Sequence, residues 1–270
     1  MARRPLSILD FYSAEQPFAT EFRRLLHRIK KNENEAELKS LLITSAMLSE
    51  GKSTISSFLA VTAARQKGMK TLLIDADLRR PTVHKFFAME RDNGLAEILA
   101  DNYNPVDMIK HTEMENLHIM TAGKRVPSPT DIFDAQSIGR IVDEMKFYYD
   151  IILVDCAPVL PVSDPMLLAS KLDGIVLVVK AGATQKEVVE RAVEILSTNN
   201  HRVLGIVLNN MNNSLPYYYD YNYYYYEDSD KKTKTKRNSI SHGSAGNAHS
   251  RGRRNLNNDN TDQTSTLEKK

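Results

Sequence analysis

Short apolar runs alternate with amphipathic stretches between about residue 41 and residue 211. The runs are almost continuous in Ile, Leu and Val, which is typical of strands buried on both faces of a parallel sheet. They cover residues 41–45, 71–75, 117–121, 151–155, 174–179 and 203–208. The stretches between them have helical spacing, as in residues 53–66, 137–148 and 185–198. We therefore predict an α/β fold with a doubly wound, mostly parallel sheet.

The sequence changes character after Met211, where apolar residues other than tyrosine become rare. A tyrosine cluster follows, with eight tyrosines: Tyr217, Tyr218, Tyr219, Tyr221, Tyr223, Tyr224, Tyr225 and Tyr226. Residues 231–258 contain eight Lys or Arg and no Asp or Glu. Such a segment has too few apolar side chains to offset the entropy cost of ordering it, so we predict a disordered C-terminal tail.

The predicted organisation therefore has four parts. They are an N-terminal extension (1–19), a folded domain (20–213), the segment with the tyrosine cluster (214–226) and a disordered basic, polar tail (227–270).

Charge and composition exclude several classes of protein. The net charge is only +2, so nothing in it argues for nucleic acid as a partner, and none is expected. A single cysteine, Cys156, excludes an intramolecular disulfide and suits a reducing cytoplasm. The N-terminus has no apolar signal region, and no window approaches the roughly 18 apolar residues that a membrane span needs. We expect a soluble, cytoplasmic protein that reaches a membrane only through a partner.

The first chemical motif is Ser-Ala-Met-Leu-Ser-Glu-Gly-Lys-Ser-Thr at residues 45–54, between a predicted strand and a predicted helix. A P-loop needs backbone N–H groups around the phosphates, a lysine for the β and γ oxygens and a hydroxyl for Mg²⁺. The residues expected to bind the nucleotide are Ser49, Glu50, Gly51, Lys52, Ser53 and Thr54. Ala46 replaces the usual first glycine and is small enough for the loop to close. The motif predicts ATP binding in a fold of the P-loop NTPase type.

Two acidic motifs follow later strands. Asp75, Asp77 and Arg79 come at the end of one apolar run, and Asp155 ends another. The carboxyl ends of parallel strands face the crevice where open sheets bind ligands, and carboxylate oxygens suit Mg²⁺. We expect Ser53, Asp77 and Asp155 to hold the metal. Each acidic motif alone could be structural, but three strand-end motifs in this order rarely arise by chance.

Some residues near the motifs have two interpretations. Asn209, after the last strand, could read the adenine edge with its amide or could start a turn. Arg79 could steady developing charge or pair structurally with an aspartate. Cys156 is expected to be a small buried side chain rather than a redox switch.

At these residues the chain resembles the cytoplasmic domain of bacterial tyrosine kinases of the polysaccharide co-polymerase class (BY-kinases). In that family the P-loop often begins with Ala or Ser, as at Ala46. The second motif is three apolar residues and Asp-x-Asp-x-Arg, as at residues 72–79, and the third is three apolar residues and Asp-x-x-Pro, as at 152–158. A C-terminal tyrosine cluster completes the set. The resemblance covers about residues 15–226, and the combination of four features is specific.

The resemblance implies ATP-dependent autophosphorylation, with the tyrosine cluster of one subunit entering the site of a neighbour. Residues 20–213 would then be a P-loop tyrosine kinase domain, and the implied catalytic residues are Lys52, Asp75, Asp77 and Arg79. A tyrosine hydroxyl has a pKa near ~10, so a carboxylate must accept its proton as attack proceeds. Asp75 is the first choice for that role and Asp77 the second.

The resemblance also implies partners. They are a separate membrane activator of the polysaccharide co-polymerase type, which would recruit the chain to the inner face of the membrane, and a cognate phosphotyrosine phosphatase. Control of capsule or exopolysaccharide synthesis and export is implied with them. The family's ring-forming pattern Glu-x-x-Arg-x-x-Arg becomes Glu21-x-x-Arg24-x-x-His27 here, with Arg28 adjacent. A homo-oligomer is expected, and a ring is one form it could take.

Two other functions fit parts of the pattern. A partition or septum-positioning ATPase shares the nucleotide fold and hydrolyses ATP as a dimerisation switch, but carries a lysine early in the P-loop that residues 46–50 lack, and has no tyrosine run. A non-catalytic scaffold, in which ATP stabilises a docking surface and the tyrosines form an aromatic patch, is compatible with the sequence.

Overall fold

The computed structural model describes residues 5–31, 38–65, 69–198 and 201–210. The predicted tyrosine cluster and the tail after it lie outside the described residues. The described strands form one sheet in the order β3-β4-β2-β5-β1-β6-β7. Six of them are parallel, and β3 runs antiparallel to β4 at one edge. The strands are β1 (Ser40–Ser45), β2 (Thr71–Asp75), β3 (Lys110–His111), β4 (Leu117–Met120), β5 (Ile151–Asp155), β6 (Gly174–Lys180) and β7 (Val203–Asn209).

Helices connect the parallel strands. In the described part of the chain they are α1 (Ile8–Phe11), α2 (Pro17–Lys31), α3 (Lys52–Arg65), α4 (Val83–Phe86), α5 (Leu95–Asp101), α6 (Pro129–Ile132), α7 (Ala135–Met145), α8 (Asp164–Ala169) and α9 (Lys186–Leu196), with a short 3-10 helix at Pro105–Met108. Asp134 caps the N-terminus of α7, because its side chain accepts from the N–H groups of Gln136 and Ser137.

Apolar side chains pack on both faces of the sheet. Helices α5, α7, α8 and α9 cover one face, and α1, α2, α3 and α4 cover the other. Every residue of β1, β2 and β5 is buried, which explains why the middle of each strand is apolar. The edge strand β7 is only half-covered, with Ile206 46% and Leu208 52% exposed. The predicted doubly wound, mostly parallel sheet of P-loop type is confirmed.

The structure adds short elements that periodicity did not predict. The hairpin partner β3 has two residues, and the four-residue helices are too short for a helical repeat to be recognised. The core also extends into residues before 20. Tyr12 is buried, its hydroxyl lies 2.9 Å from Thr62 Oγ1, and the Arg65 guanidinium lies 4.8 Å from its ring centroid. Residues 7–19 therefore pack on the same apolar layer as α3.

Helix α2 presents a basic outer face. Leu26 and Ile29 are buried against the core, and Phe22 packs beside them. On the exposed side, Glu21 Oε1 accepts from Arg24 Nη1 at 2.6 Å, and His27 is exposed one turn further on. The Glu-x-x-Arg-x-x-His series thus lies along one exposed stripe of the helix.

Candidate active site

The three predicted motifs meet at the carboxyl edge of adjacent strands. Strand β5 lies between β1 and β2, and Asp75 and Asp155 are register partners at the ends of β2 and β5. The loop after β1 leads into α3, whose first residue is Lys52. Parallel pairing therefore brings together carboxylates and a lysine that are far apart in sequence.

The loop between β1 and α3 has the backbone of a phosphate-binding loop. Ser49 and Gly51 have positive φ values of 63° and 91°. A Cβ on Gly51 would lie 2.1 Å from Asn209 Nδ2, so both the conformation and the space require glycine. The departure from the usual motif is accommodated, because Ala46 is fully buried and its methyl joins the core. Lys52, Ser53 and Thr54 form the first turn of α3. The N–H groups at a helix N-terminus favour the binding of anions.

Glu50 holds this loop against the end of β6 and the residues that follow it. Its carboxylate accepts from Met47 N–H at 2.6 Å, from Lys180 N–H at 3.4 Å and from the Thr184 hydroxyl. Its backbone carbonyl accepts from Asn209 Nδ2 at 2.9 Å. The amide of Asn209 is thus engaged by the P-loop backbone, and Glu50 is 2% exposed. Both residues lie beside the predicted nucleotide site and shape its loop.

Lys52 lies at the centre of the site. Its Nζ is 2.9 Å from Asp77 Oδ2, 3.6 Å from Asp155 Oδ2 and 3.2 Å from Ser53 Oγ. Burial alone would lower its pKa, but the charges of Asp155 and Asp77 outweigh burial and raise the pKa above its ordinary value. Lys52 is therefore an ammonium at neutral pH, held among the carboxylates as a fixed positive charge.

Asp75 is a fully buried carboxylate that organises the loop after β2. Its oxygens accept backbone N–H groups from Asp77 at 3.2 Å and from Thr82 and Val83 at 3.1 Å each. Burial and the neighbouring charge of Asp155 raise the pKa of Asp75, while Lys52 opposes the rise. Three of its roughly four lone-pair positions are therefore occupied by main-chain donors.

Asp155 fits a role as a metal ligand. Both of its carboxylate oxygens are buried, and neither accepts a hydrogen bond from the described residues. Burial raises its pKa, and Lys52 is the main opposing charge. Lys52 compensates this buried charge only in part, because its Nζ lies 3.6 Å from Asp155 but 2.9 Å from Asp77, and a buried charge is costly without compensation. The described residues contain no group of three or more His, Cys, Asp or Glu arranged to hold a metal by themselves, so Mg²⁺ here would take further ligands from phosphate and water.

Known proteins share this sequence and fold. CapB of Staphylococcus aureus is 37% identical over 226 residues, which cover 81% of this chain and 99% of CapB. The tyrosine-protein kinase YwqD of Bacillus subtilis is 35% identical over 189 residues, which cover 70% of this chain and 79% of YwqD. The chain belongs to the bacterial tyrosine kinases. The kinase domain of the Escherichia coli tyrosine kinase ETK superposes on this kinase with a TM-score of 0.72 and 27% identity, covering 77% of this chain and 82% of the other.

A broader family model agrees with the nucleotide site. It is described as ParA, NUBPL iron-transfer P-loop NTPase, and it matches residues 38–250. The kinase has one cysteine, Cys156, which is buried, so its sequence offers no set of thiolates for an iron–sulfur cluster. The family predicted from the four motifs is confirmed, and the tyrosine kinase interpretation is supported over the partition or septum-type ATPase. Among the described helices of this kinase, none is both long enough and apolar enough to span a bilayer.

Arg79 of the kinase is held by a residue that the sequence did not single out. Its Nε lies 3.2 Å from Asp164 Oδ2, and its Nη2 lies 3.4 Å from Asp164 Oδ1 and 3.1 Å from Thr130 Oγ1. Asp164 is 4% exposed at the start of α8. The structural pairing that we considered for Arg79 is thus present. No sequence motif marked Asp164, because it lies 85 residues from Arg79 in the sequence, at the start of a short helix.

Proposed function

We propose that the kinase uses Mg·ATP to phosphorylate the tyrosine cluster at residues 217–226, in trans between copies of the chain. The observation that carries the proposal is the position of Lys52, 2.9 Å from Asp77 and 3.6 Å from Asp155, at the start of α3. A lysine, two strand-end carboxylates and a helix N-terminus in one place are the parts that phosphoryl transfer needs for positioning and charge neutralisation.

In this proposal the P-loop binds the phosphates of ATP. The N–H groups of residues 49–54 surround the phosphate oxygens, and Lys52 exchanges part of its interaction with Asp77 for the β and γ phosphates. Of the three predicted ligands of Mg²⁺, Ser53 and Asp155 are the ones we propose, and Asp77 is left as a base. When bound, the metal would neutralise charge on the phosphates. Arg79 stays paired with Asp164 and keeps the loop after β2 in place.

The proton of the attacking tyrosine needs a carboxylate acceptor. The sequence favours Asp75 for this role, but its three main-chain donors and complete burial favour a role in shaping the loop. Asp77 accepts one N–H, from Arg80 at 2.9 Å, and its other oxygen faces Lys52. That oxygen becomes available when Lys52 turns to phosphate, so we assign proton acceptance to Asp77.

The wider role follows from the family. We propose that residues 20–213, with residues 7–19 packed against them, form the kinase domain and that residues 214–226 carry the phosphoacceptors. Copies would assemble through the exposed stripe with Glu21, Arg24 and His27, in a ring or a smaller oligomer. A separate membrane activator would recruit the kinase from the cytoplasm to the inner face of the membrane, where it regulates capsule or exopolysaccharide synthesis and export. A phosphotyrosine phosphatase would reverse the modification.

One experiment tests the central proposal. The full chain is incubated with Mg·ATP, and the segment 214–230 is analysed by mass spectrometry beside Lys52→Met. Phosphate on the cluster tyrosines that disappears in Lys52→Met is the expected result. ATP turnover without modification of the cluster would instead indicate an ATPase switch, and neither turnover nor modification would indicate a scaffold. Mixing Lys52→Met with an active chain whose eight tyrosines are changed to Phe tests transfer in trans, since only the inactive copy can then be labelled.

A further inference from the structure

A basic cavity adjoins the proposed active site. It has a volume of about 630 Å³ and lies between the residues that follow Asp77 and the loop at residues 125–129. Its charged or titratable lining residues are Arg79, Arg80, His84, Lys85, Arg91 and Arg125. Among the residues described, no Asp or Glu lines it. We call this feature the basic cavity.

Three of these cations have no compensating charge. The side chains of Arg80, Lys85 and Arg125 are exposed, and none of them forms a hydrogen bond or ion pair with the residues that the structure describes. Arg91 is fixed without being neutralised, since its Nε donates to the Gly123 carbonyl at 2.6 Å. Like charges gathered around one cavity create a positive potential that attracts anionic ligands.

His84 lies within this positive field. Its Nδ1 is buried and has no hydrogen-bond partner in the described part of the chain. Burial lowers the pKa of His84, and the nearby charges of Lys85, Arg91 and Lys110 lower it further. The positive charges around the cavity thus disfavour protonation of His84, and the same charges favour the binding of an anion.

The basic cavity is attached directly to the catalytic loop. The Arg80 N–H donates to Asp77 Oδ1 at 2.9 Å, while the Arg80 side chain lines the cavity. An acceptor peptide that reaches Asp77 would therefore have its neighbouring residues beside Arg80. In an extended peptide each residue spans about 3.3 Å, so side chains one to four residues from the acceptor lie roughly 3 to 13 Å away.

The chain itself contains a peptide of the complementary charge. Residues 216–230 include the eight cluster tyrosines and four carboxylates, Asp220, Glu227, Asp228 and Asp230, without any Lys or Arg. Three of these carboxylates fall within four residues after Tyr226. No other part of residues 211–270 combines tyrosines with an acidic run.

We propose that the basic cavity binds the acidic residues of segment 216–230 and so positions its tyrosines at Asp77. The inference rests on the proposed kinase function and adds a site of substrate recognition to it. Carboxylates at residues 227–230 would contact Arg80, Lys85 and Arg125 while a tyrosine before them occupies the site. Specificity for this segment then comes from charge beside the acceptor rather than from the phosphoryl-transfer residues.

Binding can be measured independently of catalysis. Fluorescence anisotropy is recorded with a labelled peptide of residues 216–230 and the full chain. In the full chain only, Asp220, Glu227, Asp228 and Asp230 are changed to amides, so that its own segment does not compete with the peptide. In that background the triple variant Arg80→Gln, Lys85→Gln and Arg125→Gln should bind the peptide about tenfold more weakly, the sum of three exposed ion pairs. A peptide with amides at the same four positions should bind weakly to both chains. Its affinity for the triple variant should equal its affinity for the parent.

Matched controls make the test specific. The triple variant Arg140→Gln, Lys186→Gln and Arg191→Gln removes the same charge from exposed positions on α7 and α9, and should bind within about twofold of its parent. Arg80→Lys with Arg125→Lys keeps the charge and should retain binding. Equal binding by the cavity variant and its parent, or an equal loss in the α7 and α9 control, would overturn the inference.

The two proposals fail in different ways. If the unaltered chain with Mg·ATP leaves its tyrosines unmodified but the peptide still binds through the cavity, the kinase proposal fails and the recognition site stands. If the cluster is phosphorylated but the peptide binds equally well without Arg80, Lys85 and Arg125, the recognition site fails and the kinase proposal stands.

Discussion

The site around Lys52 and the basic cavity lie side by side but treat charge in opposite ways. Around Lys52 each cation meets a carboxylate, with Lys52 2.9 Å from Asp77, and Arg79 3.2 Å from Asp164. In the basic cavity, which Arg79 also lines, Arg80 and Arg125 face solvent and no carboxylate of the described residues. In the first region buried carboxylates outnumber the cations that they hold, and in the second exposed cations face one another without a carboxylate among the described lining residues.

This difference separates two tasks of one site. Buried charges held by opposite charges are preorganised, so phosphate and metal can exchange with them without much rearrangement of the protein. Exposed charges of one sign attract a ligand over a distance and release it easily, because water and salt screen them. The adjacent residues Arg79 and Arg80 show that burial of the partner, rather than residue type, decides which task an arginine performs.

The largest expected effect comes from Asp155→Asn, which tests whether the buried charges serve function rather than stability. Phosphorylation of the tyrosine cluster should fall at least about a hundredfold, because a proposed ligand of Mg²⁺ loses its charge. The free energy of unfolding should stay the same or rise by about 1–2 kcal/mol, because Asp155 is buried without a hydrogen bond from the described residues and Lys52 keeps Asp77. Quantitative mass spectrometry and urea denaturation measure the two effects. A clear loss of stability would mean that Asp155 holds the fold together.

A smaller effect is expected from Gly51→Ala, which alters the P-loop backbone without touching a charge. The positive φ of 91° and the Cβ position 2.1 Å from Asn209 Nδ2 both oppose a side chain. Nucleotide affinity should fall roughly tenfold to a hundredfold, since such backbone strain costs about 1–3 kcal/mol. Isothermal titration with Mg·ADP measures it. Adding Asn209→Ala removes the clash and should recover part of the affinity, whereas no recovery would assign the whole effect to backbone conformation.

The sequence predicted the sheet well, because its central strands are buried on both faces. Residues 71–75 and 151–155 coincide with β2 and β5, and the other predicted strands differ from the structure by one residue at an end. Strand β7 was predicted although it is an edge strand, since its inner side still packs on the core. The helices α7 and α9 were predicted slightly too long at their C-terminal ends, because apolar residues such as Phe147 continue the pattern after the helix ends.

Site residues were predicted where they act through neighbouring residues in the sequence, and missed where their partners are distant in the sequence. Glycine, lysine and serine in the P-loop act through neighbouring backbone, so spacing alone identified Gly51, Lys52 and Ser53. Asp164 and Thr184 have no motif, because their partners lie on other elements and only the folded sheet brings them together. The basic cavity was missed for the same reason, since Arg80 and Arg125 line one cavity only because separate loops pack together.

Comparing Arg79→Gln with Arg80→Gln separates the two kinds of charge more finely. Arg79→Gln should lower the free energy of unfolding by about 1–2 kcal/mol, because the buried Asp164 loses charged donors. Arg80→Gln should leave stability within about 0.5 kcal/mol and weaken binding of the peptide 216–230 about two- to threefold, with the difference from the parent shrinking as salt is added. Urea denaturation and anisotropy at two salt concentrations measure these effects. Equal stability losses in the two variants would contradict the distinction.

The smallest effect concerns Glu97, whose carboxylate holds the loop that carries Arg125 through main-chain N–H groups. Its carboxylate accepts N–H groups from Asn93 and Gly94 at 3.0 Å and from Lys124 at 2.9 Å. Burial would raise the pKa of Glu97, but the backbone donors, Gly94 and Lys124 first, outweigh burial and lower it. A carboxyl whose pKa is lowered on folding stabilises the protein above its unfolded pKa, and this stabilisation disappears as the pH falls through the folded value.

Glu97→Gln should therefore lower the free energy of unfolding by about 1 kcal/mol at pH 7, because one amide oxygen replaces two accepting carboxylate oxygens. The deficit should shrink as the pH is lowered below the pKa of Glu97, where the parent protein also loses the interaction. Urea denaturation across this acid range checks it, with Glu144→Gln on the exposed side of α7 as a control that should show no such convergence. A deficit independent of pH would mean that Glu97 acts through packing alone, and that the wall of the basic cavity is not held by its charge.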